Sequence, residues 1–414
     1  MAKNTTEQRA WIARRLTFGG GLSDRAQPTP SIAELTSPTE ADLLPRFRDI
    51  DIDIGQGPDR TASTEVLGLW LSSLARPTTS INDWMSWFWH DHFAVSATAV
   101  RSLGLFAQHL DLLKSHGLGS FKDLLHAVTI DPAMLIFLDG RRNRRGAVNE
   151  NYGRELLELY SLGIGNYTEP DVRAAATALT GWALNDDQTG SRFVPRRHDD
   201  NPQTLLGQPV DDVDSTLLAV TSSPACAIHI TDRLSRAMLG AALPPLILQE
   251  TATSFEESGL AMQHLVGTLL HFAFEEDFDQ PMVLAPVQWL LHTESMTGVQ
   301  LASEQRLSLL RQMGQVPGVP PNVGGYPGAE TWAGPSTTIG RFRAASLIAA
   351  QTGDESELLD ATRTRSWTAA SELTSRPDGF SRATLTALDD ANRQRQDGRE
   401  ALAALLMSPE LAVA

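Results

Sequence analysis

One cysteine, Cys226, stands in a chain of 414 residues. That excludes an intrachain disulfide and any multi-cysteine metal site. Its neighbours, Pro224-Ala-Cys-Ala-Ile, are small and apolar, which points to a buried structural thiol and away from a nucleophile. Lysine is nearly as scarce: Lys3, Lys114 and Lys122 are the only lysines among 34 basic residues. The arginine bias reads as GC-rich coding. Positive charge as a whole is in deficit, with a formal net charge of -16. Such a balance argues against nonspecific nucleic-acid binding and against docking on anionic lipid. No run approaches the roughly 18 apolar residues that a membrane span needs. Arg14-Arg-Leu-Thr-Phe looks like the start of a twin-arginine export signal, but Gly19-Gly-Gly and Asp24 follow where an apolar segment should stand. The expectation is therefore a cytoplasmic protein. The chain also has no Gly-x-Ser-x-Gly elbow, His-Glu-x-x-His, dinucleotide fingerprint or Cys-x-x-Cys-His, so no nucleotide cofactor is indicated.

What is present is a foldable, helix-rich pattern. With 42% hydrophobic and 20% charged residues, the chain can bury a core. Helices are expected over 5–17, 65–74, 80–92 with Ser80 as N-cap, 100–115 and 120–129, with a stop at Gly19–Gly21. Short helices and loops fill 22–62. Asp131-Pro132 opens another helix, and Thr168 caps one over 169–181. An apolar helix covers Asn151–Leu162. Trp182–Leu184 and Arg192–Val194 pair as a small hairpin. The pattern is helical again from 215, and two or three helices finish the chain after a Gly/Pro-rich loop at 314–336. No long repeat or linker interrupts. The fold class is thus mostly α: a single large multi-helix domain over 1–414 with a small β-hairpin insertion near 182–210. The loop 314–336 is the one plausible sub-boundary, although its aromatics, Tyr326 and Trp332, favour packing on a body.

Three polar blocks carry candidate chemistry. In Trp84-Met-Ser-Trp-Phe-Trp-His-Asp-His-Phe, His90 and His92 are nitrogen donors inside an aromatic wall. At i and i+2 they point about 200° apart on a continuous helix, so one metal would need the chain to leave the helix near His90. The competing reading is that one ring packs on tryptophans and the other caps or faces solvent. The second block, Asn149 to Glu158, places Glu150, Asn151, Arg154, Glu155 and Glu158 beside apolar leucines. Glu155 and Glu158 at i, i+3 suit a metal or acid–base work, with Arg154 orienting one of them; a structural network tied to the arginines at 141–145 is the competing reading. Those arginines are either an anion site or a solvated loop. In the third block, His198 and Asp199 lie in a turn-rich segment where a site is often completed. Pro320-Pro-Asn-Val-Gly-Gly-Tyr-Pro-Gly lacks the glycine spacing of a phosphate loop and reads as a lid or pocket wall.

These blocks together resemble the bacterial domain of unknown function 1800 family. The resemblance rests on Arg14-Arg-Leu-Thr-Phe-Gly, Phe88-Trp-His-Asp-His-Phe-Ala-Val, Asp131-Pro-Ala-Met-Leu and Asn149-Glu-Asn-Tyr-Gly-Arg-Glu-Leu-Leu-Glu-Leu-Tyr-Ser-Leu-Gly-Ile-Gly. Tyr167-Thr-Glu-Pro-Asp-Val-Arg, Ala178-Leu-Thr-Gly-Trp, His198-Asp-Asp, the late Pro/Gly loop and Leu406-Met-Ser-Pro-Glu extend it over nearly the whole chain. It implies one contiguous domain and, since members are often exported, a different address from the one read above. The family's late loop usually reads closer to Asn-Val-Lys-Gly-Trp; Gly324 and Tyr326 stand there in this chain.

The leading expectation is a metal-dependent enzyme, leaning to oxidoreductase chemistry, with iron, copper, manganese or zinc held by His90, His92 and His198. Glu155, Glu158 and Arg154 would be catalytic. Asn149, Glu150, Asn151, Trp182, Asp199 and Asn322 would contact a small-molecule substrate. A non-catalytic protein-binding or scaffolding protein and a metal-free hydrolase using paired carboxylates are the alternatives.

Overall fold

Helical periodicity organises most of the described residues in the computed structural model, which covers 3–19, 30–37, 60–76, 80–276, 278, 280–394 and 397–414. Among the described residues are 22 α-helices and two small two-stranded sheets. α1 (Thr5–Arg15) opens on a reciprocal capping box between Asn4 and Glu7. Its Trp11 and Ile12, with Leu16 just beyond, are fully buried. Gly20 and Gly21 of the expected stop, and most of 22–62, lie outside the described residues; α2 (Ile32–Leu35) is the described helix there.

α3 (Arg60–Leu74) starts earlier than the run at Glu65 suggests. α4 (Asn82–His92) has Ile81, not Ser80, at its N-cap. The Ser80 hydroxyl accepts the Asn82 N–H at 3.2 Å and donates to the Ser37 carbonyl at 2.7 Å, tying α4 to the chain after α2. The helix expected over 100–115 is α6 (Leu103–His116); a short α5 (Ala97–Val100) precedes it and ends at Arg101, which takes left-handed backbone at φ 57°. α7 (Phe121–Thr129) and α8 (Pro132–Phe137) are capped by Ser120 and by Asp131.

α9 (Asn151–Glu155) then widens into a π-helical stretch, Leu156–Ser161. Leu162 N–H donates to Leu157 O, five residues back, at 3.0 Å, and the Ser161 hydroxyl donates to Leu156 O. Such stretches are rare and concentrate at functional sites; hydrophobic periodicity does not reveal one. α10 (Glu169–Ala178) starts at the expected Thr168 cap, closed by Asp171, and ends before 181. β1 (Trp182–Leu184) pairs antiparallel with β2 (Ser191–Phe193), one residue earlier than expected. A second hairpin, β3 (Gln203–Leu205) with β4 (Gln208–Val210), follows.

The remainder is α11 (Val213–Thr221), α12 (Pro224–Leu239), α13 (Pro245–Glu257), α14 (Met262–Glu275), α15 (Pro286–Thr297) and α16 (Ser303–Met313). Beyond the Gly/Pro loop come α17 (Pro335–Gln351), α18 (Glu357–Thr364), α19 (Trp367–Leu373), α20 (Arg382–Gln394), α21 (Arg399–Leu406) and α22 (Pro409–Ala412), six helices where two or three were expected. α16 packs on α17 across that loop, and buried apolar residues from Trp11 to Ala414 form one contiguous cluster. Arg15 donates to the Ala414 carbonyl at 2.8 Å, joining the first helix to the last residue. No described helix is long and apolar enough to cross a membrane.

Candidate functional site

Trp84, Trp87, Phe88 and Asp91 recur at i, i+3, i+4 and i+7, so they share one face of α4. That face walls a cleft of about 390 Å3. α12 supplies Arg233, Arg236 and Ala237 by the same spacing, and the segment from Tyr326 to Trp332, with Glu330 between, closes another side. The cleft therefore combines apolar rings with a few convergent charges, the usual make-up of a small-molecule site.

Asp91 fixes the loop over this cleft. Its Oδ1 accepts the Tyr326 N–H at 2.6 Å, and its Oδ2 lies 3.8 Å from the Arg233 guanidinium. Tyr326 stacks on Trp87 with ring centroids 5.8 Å apart and planes 10° from parallel, and its hydroxyl donates to Val316 O at 2.7 Å. Gly325 makes this approach possible. It sits at φ 90°, and a Cβ there would lie 2.3 Å from the Asp91 carbonyl oxygen. Burial among the rings raises the Asp91 pKa, opposed by the Tyr326 amide and Arg233. Its side chain is nevertheless 30% exposed, so the carboxyl is both desolvated and reachable.

The two α4 histidines point elsewhere. His90 is fully buried, edge-on to Trp70 at 5.0 Å and to Phe106 at 5.9 Å. Neither of its ring nitrogens has a hydrogen-bond partner among the described residues. Burial pushes its pKa down to about 3, so the ring is neutral. His92 turns to the π stretch and donates from Nε2 to Tyr160 O at 3.1 Å. His229 of α12 does the same to Leu159 O at 2.9 Å, and the two imidazoles are 6.1 Å apart. The last carbonyls of a helix lack intrahelical donors, and these two rings supply them. Since carbonyls only accept, both histidines carry the proton on Nε2.

His198 sits by the first hairpin, with Nδ1 2.9 Å from Thr180 O and its ring against Phe193. It shares no contact residue with His90 or His92. The described residues contain no group of three or more His, Cys, Asp or Glu that could hold a metal ion. Glu158 accepts the Tyr167 hydroxyl at 2.5 Å. Glu155 has a raised pKa, from desolvation first and the Glu158 charge second. Arg154 orients neither; it makes a bidentate pair with Glu169 at 2.7 and 2.8 Å and lies 3.5 Å from Glu150. The asparagines are a latch: Asn149 Oδ1 accepts Asn151 N–H at 3.0 Å, and Asn149 N–H donates to buried Asn143, which donates to Ala176 O at 2.7 Å. Trp182 packs on Phe193. Asp199 accepts from Asn201 at 2.6 Å within its own turn. Asn322 accepts the Gly324 N–H at 2.8 Å and shapes the loop without lining the cleft.

Three of the sequence blocks thus meet in space: α4 touches the late loop at Asp91 and the π stretch at His92. The chain belongs to the DUF1800 family. The family model, described as a protein of unknown function, matches residues 2–413. No curated protein and no solved structure matches the chain. In this DUF1800 protein the residues missed by sequence reasoning are Asp91, Arg233 and Glu330. The signal for Asp91 was present, since it continues the Trp84–Trp87–Phe88 stripe. Arg233 and Glu330 carried no such signal, because each reaches the cleft only through tertiary packing.

Proposed function

We propose that this DUF1800 protein is an enzyme that binds a small polar molecule in the aromatic cleft and uses Asp91 as its acid–base group. The observation that supports this reading is the reachable Asp91 carboxyl set in a ring-lined cleft where burial raises its pKa, the condition that lets a carboxyl exchange protons nearer neutral pH. The aromatic residues that line the cleft offer an apolar surface to one side of a ligand, and Arg233 offers a cation to a polar substituent. The test uses purified protein and its Asp91→Asn variant, each incubated with a cellular metabolite extract and followed by mass spectrometry. The expected result is that both retain the same compound and that only the wild type depletes it. An extract left unchanged by the wild type, with nothing retained, sinks the proposal; retention without depletion turns it into a binding protein.

A second reading keeps a metal-dependent, oxidative enzyme. The observation favouring it is the pair of unpartnered ring nitrogens on buried His90. Against it, the expected donors do not cluster among the described residues: His92 keeps Nδ1 unpartnered but turns to Tyr160 O, His198 sits on Thr180 by the first hairpin, and Glu158 accepts from Tyr167. Elemental analysis of protein purified without an affinity tag, beside His90→Ala, separates the two. Near-stoichiometric iron, copper, manganese or zinc that is lost in a folded variant would favour this reading. No metal in either protein, after reconstitution with each ion, would remove it.

A further inference from the structure

A second concavity of about 400 Å3 lies away from the aromatic cleft, where the end of α5, the start of α6, the end of α8 and the β1–β2 turn come together. Its rim carries Arg101 and Arg141. Neither has a carboxylate partner among the described residues, although three arginines nearby do: Arg142 lies 3.5 Å from Asp139, Arg145 pairs with Asp200, and Arg192 pairs with Asp186 at 2.5 Å. Asp139, the one acidic residue on the rim, is thus already shared with Arg142. More positive charge stands behind Arg141. Arg197 donates to the Arg141 carbonyl oxygen, and Arg144 and Arg196 lower the Arg197 pKa after its own desolvation. In a chain of net charge -16, a local excess of arginine is a field that attracts an anion.

One side of the concavity is apolar. Leu105, Ile136 and Phe137 line it, with Leu105 almost fully buried. Three non-glycine residues on the rim hold left-handed backbone: Arg101 at φ 57°, Asp139 at 56° and Gln188 at 56°. L-residues adopt this conformation at a cost, and such outliers gather at ligand clamps. Here all three turn the chain around the same hollow.

We propose that this concavity is a binding site for a small organic anion, a phosphate monoester whose charged head lies between Arg101 and Arg141 and whose apolar body rests on Ile136 and Phe137. Guanidinium forks match phosphate oxygens and are always charged. The site is independent of Asp91 and of any reaction in the aromatic cleft.

Calorimetric titration with phenyl phosphate and, separately, with inorganic phosphate tests it. Wild type should bind one phenyl phosphate per chain, and inorganic phosphate more weakly because it leaves the apolar wall uncovered. Arg101→Gln and Arg141→Gln should each weaken phenyl phosphate binding by about tenfold or more, the loss of one charge-assisted pair. Arg343→Gln, an exposed change on α17, should leave it unaltered. Arg101 is exposed and Arg141 half-buried, and circular dichroism checks that the variants fold. No binding by wild type, binding unchanged in the Arg101→Gln, Arg141→Gln double variant, or equal affinity for the two probes would each overturn the proposal.

Discussion

The Tyr326 amide donates to the Asp91 carboxylate at 2.6 Å, across 235 residues of sequence. This one bond brings the Gly/Pro loop down on α4 and determines which face of the loop meets the cleft. It works only because Gly325, beside it, has no side chain. Gly325→Ala should therefore be disruptive: the added Cβ meets the Asp91 backbone, and φ 90° is unfavourable for alanine. The expected loss is about 1–3 kcal/mol in guanidinium unfolding, from strain at a special backbone position. Because Tyr326 stacks on Trp87, tryptophan fluorescence should shift in the native baseline as well. Wild-type stability with an unshifted spectrum would mean that the loop is not anchored at Asp91.

Acid stability should depend on neutral buried histidines. Burial holds His90 down to about 3 and His292 to about 4, from an ordinary 6.5. In the unfolded chain both protonate near 6.5, so below that pH the unfolded state binds more protons than the native one. Their stability is intact above about pH 6.5 and is lost as the pH falls toward the folded values. At pH 5 the loss is about 2 kcal/mol for each ring. His90→Phe should remove one such increment, making urea unfolding less sensitive to pH between 7 and 5. A variant with the wild-type pH slope would show that His90 is already protonated or solvated in the native state.

The parts of this architecture that follow from local sequence were readable. Asp131-Pro132 and Thr168 capped the helices they were expected to cap, and the Trp182 strand formed. The second hairpin was not legible because its two turn residues, Leu206 and Gly207, both take positive φ (51° and 78°). Leucine is a poor signal for such a turn, which usually shows Asn-Gly or Asp-Gly. The π stretch escaped because its period differs too little from 3.6 to change which leucines are buried. At the site, residue types were legible and directions were not. His90 and His92 were marked as donors, yet the residue between them is the one facing the cleft. Arg154 was read as a partner of Glu155 or Glu158, but the start of α10 brings Glu169 closer.

Cys226 should be chemically silent until the chain opens. It is fully buried, and burial pushes its thiol up to about 12, so almost no thiolate exists at neutral pH. A disulfide reagent at pH 8 should react with no thiol in native protein and with one per chain in denaturant. Rapid labelling of native protein would show that α12 opens locally, which would also loosen Arg233 and His229 on the same helix.

Glu294 and Arg306 test how far the helices before the Gly/Pro loop depend on one buried charge pair. Arg306 donates twice to the Glu294 carboxylate, at 2.9 and 3.0 Å, and both side chains are nearly inaccessible. Glu294 also accepts the Leu301 N–H at 2.7 Å, and Arg306 reaches Ser72 of α3 at 3.1 Å. The pair therefore ties α15, the following turn, α16 and α3. Removing the carboxylate alone leaves the Leu301 amide without its acceptor and a buried guanidinium with Ser72 as its remaining partner. Glu294→Ala should cost about 3–5 kcal/mol, whereas replacing both residues by well-packed apolar ones should cost far less, since the pair's own desolvation is then also removed. Denaturant unfolding of wild type, Glu294→Ala and Glu294→Leu/Arg306→Met gives the comparison. If the double variant falls as far as the single one, the network's hydrogen bonds to Leu301 and Ser72, more than the charge pair, hold α15 and α16 in place beneath the loop.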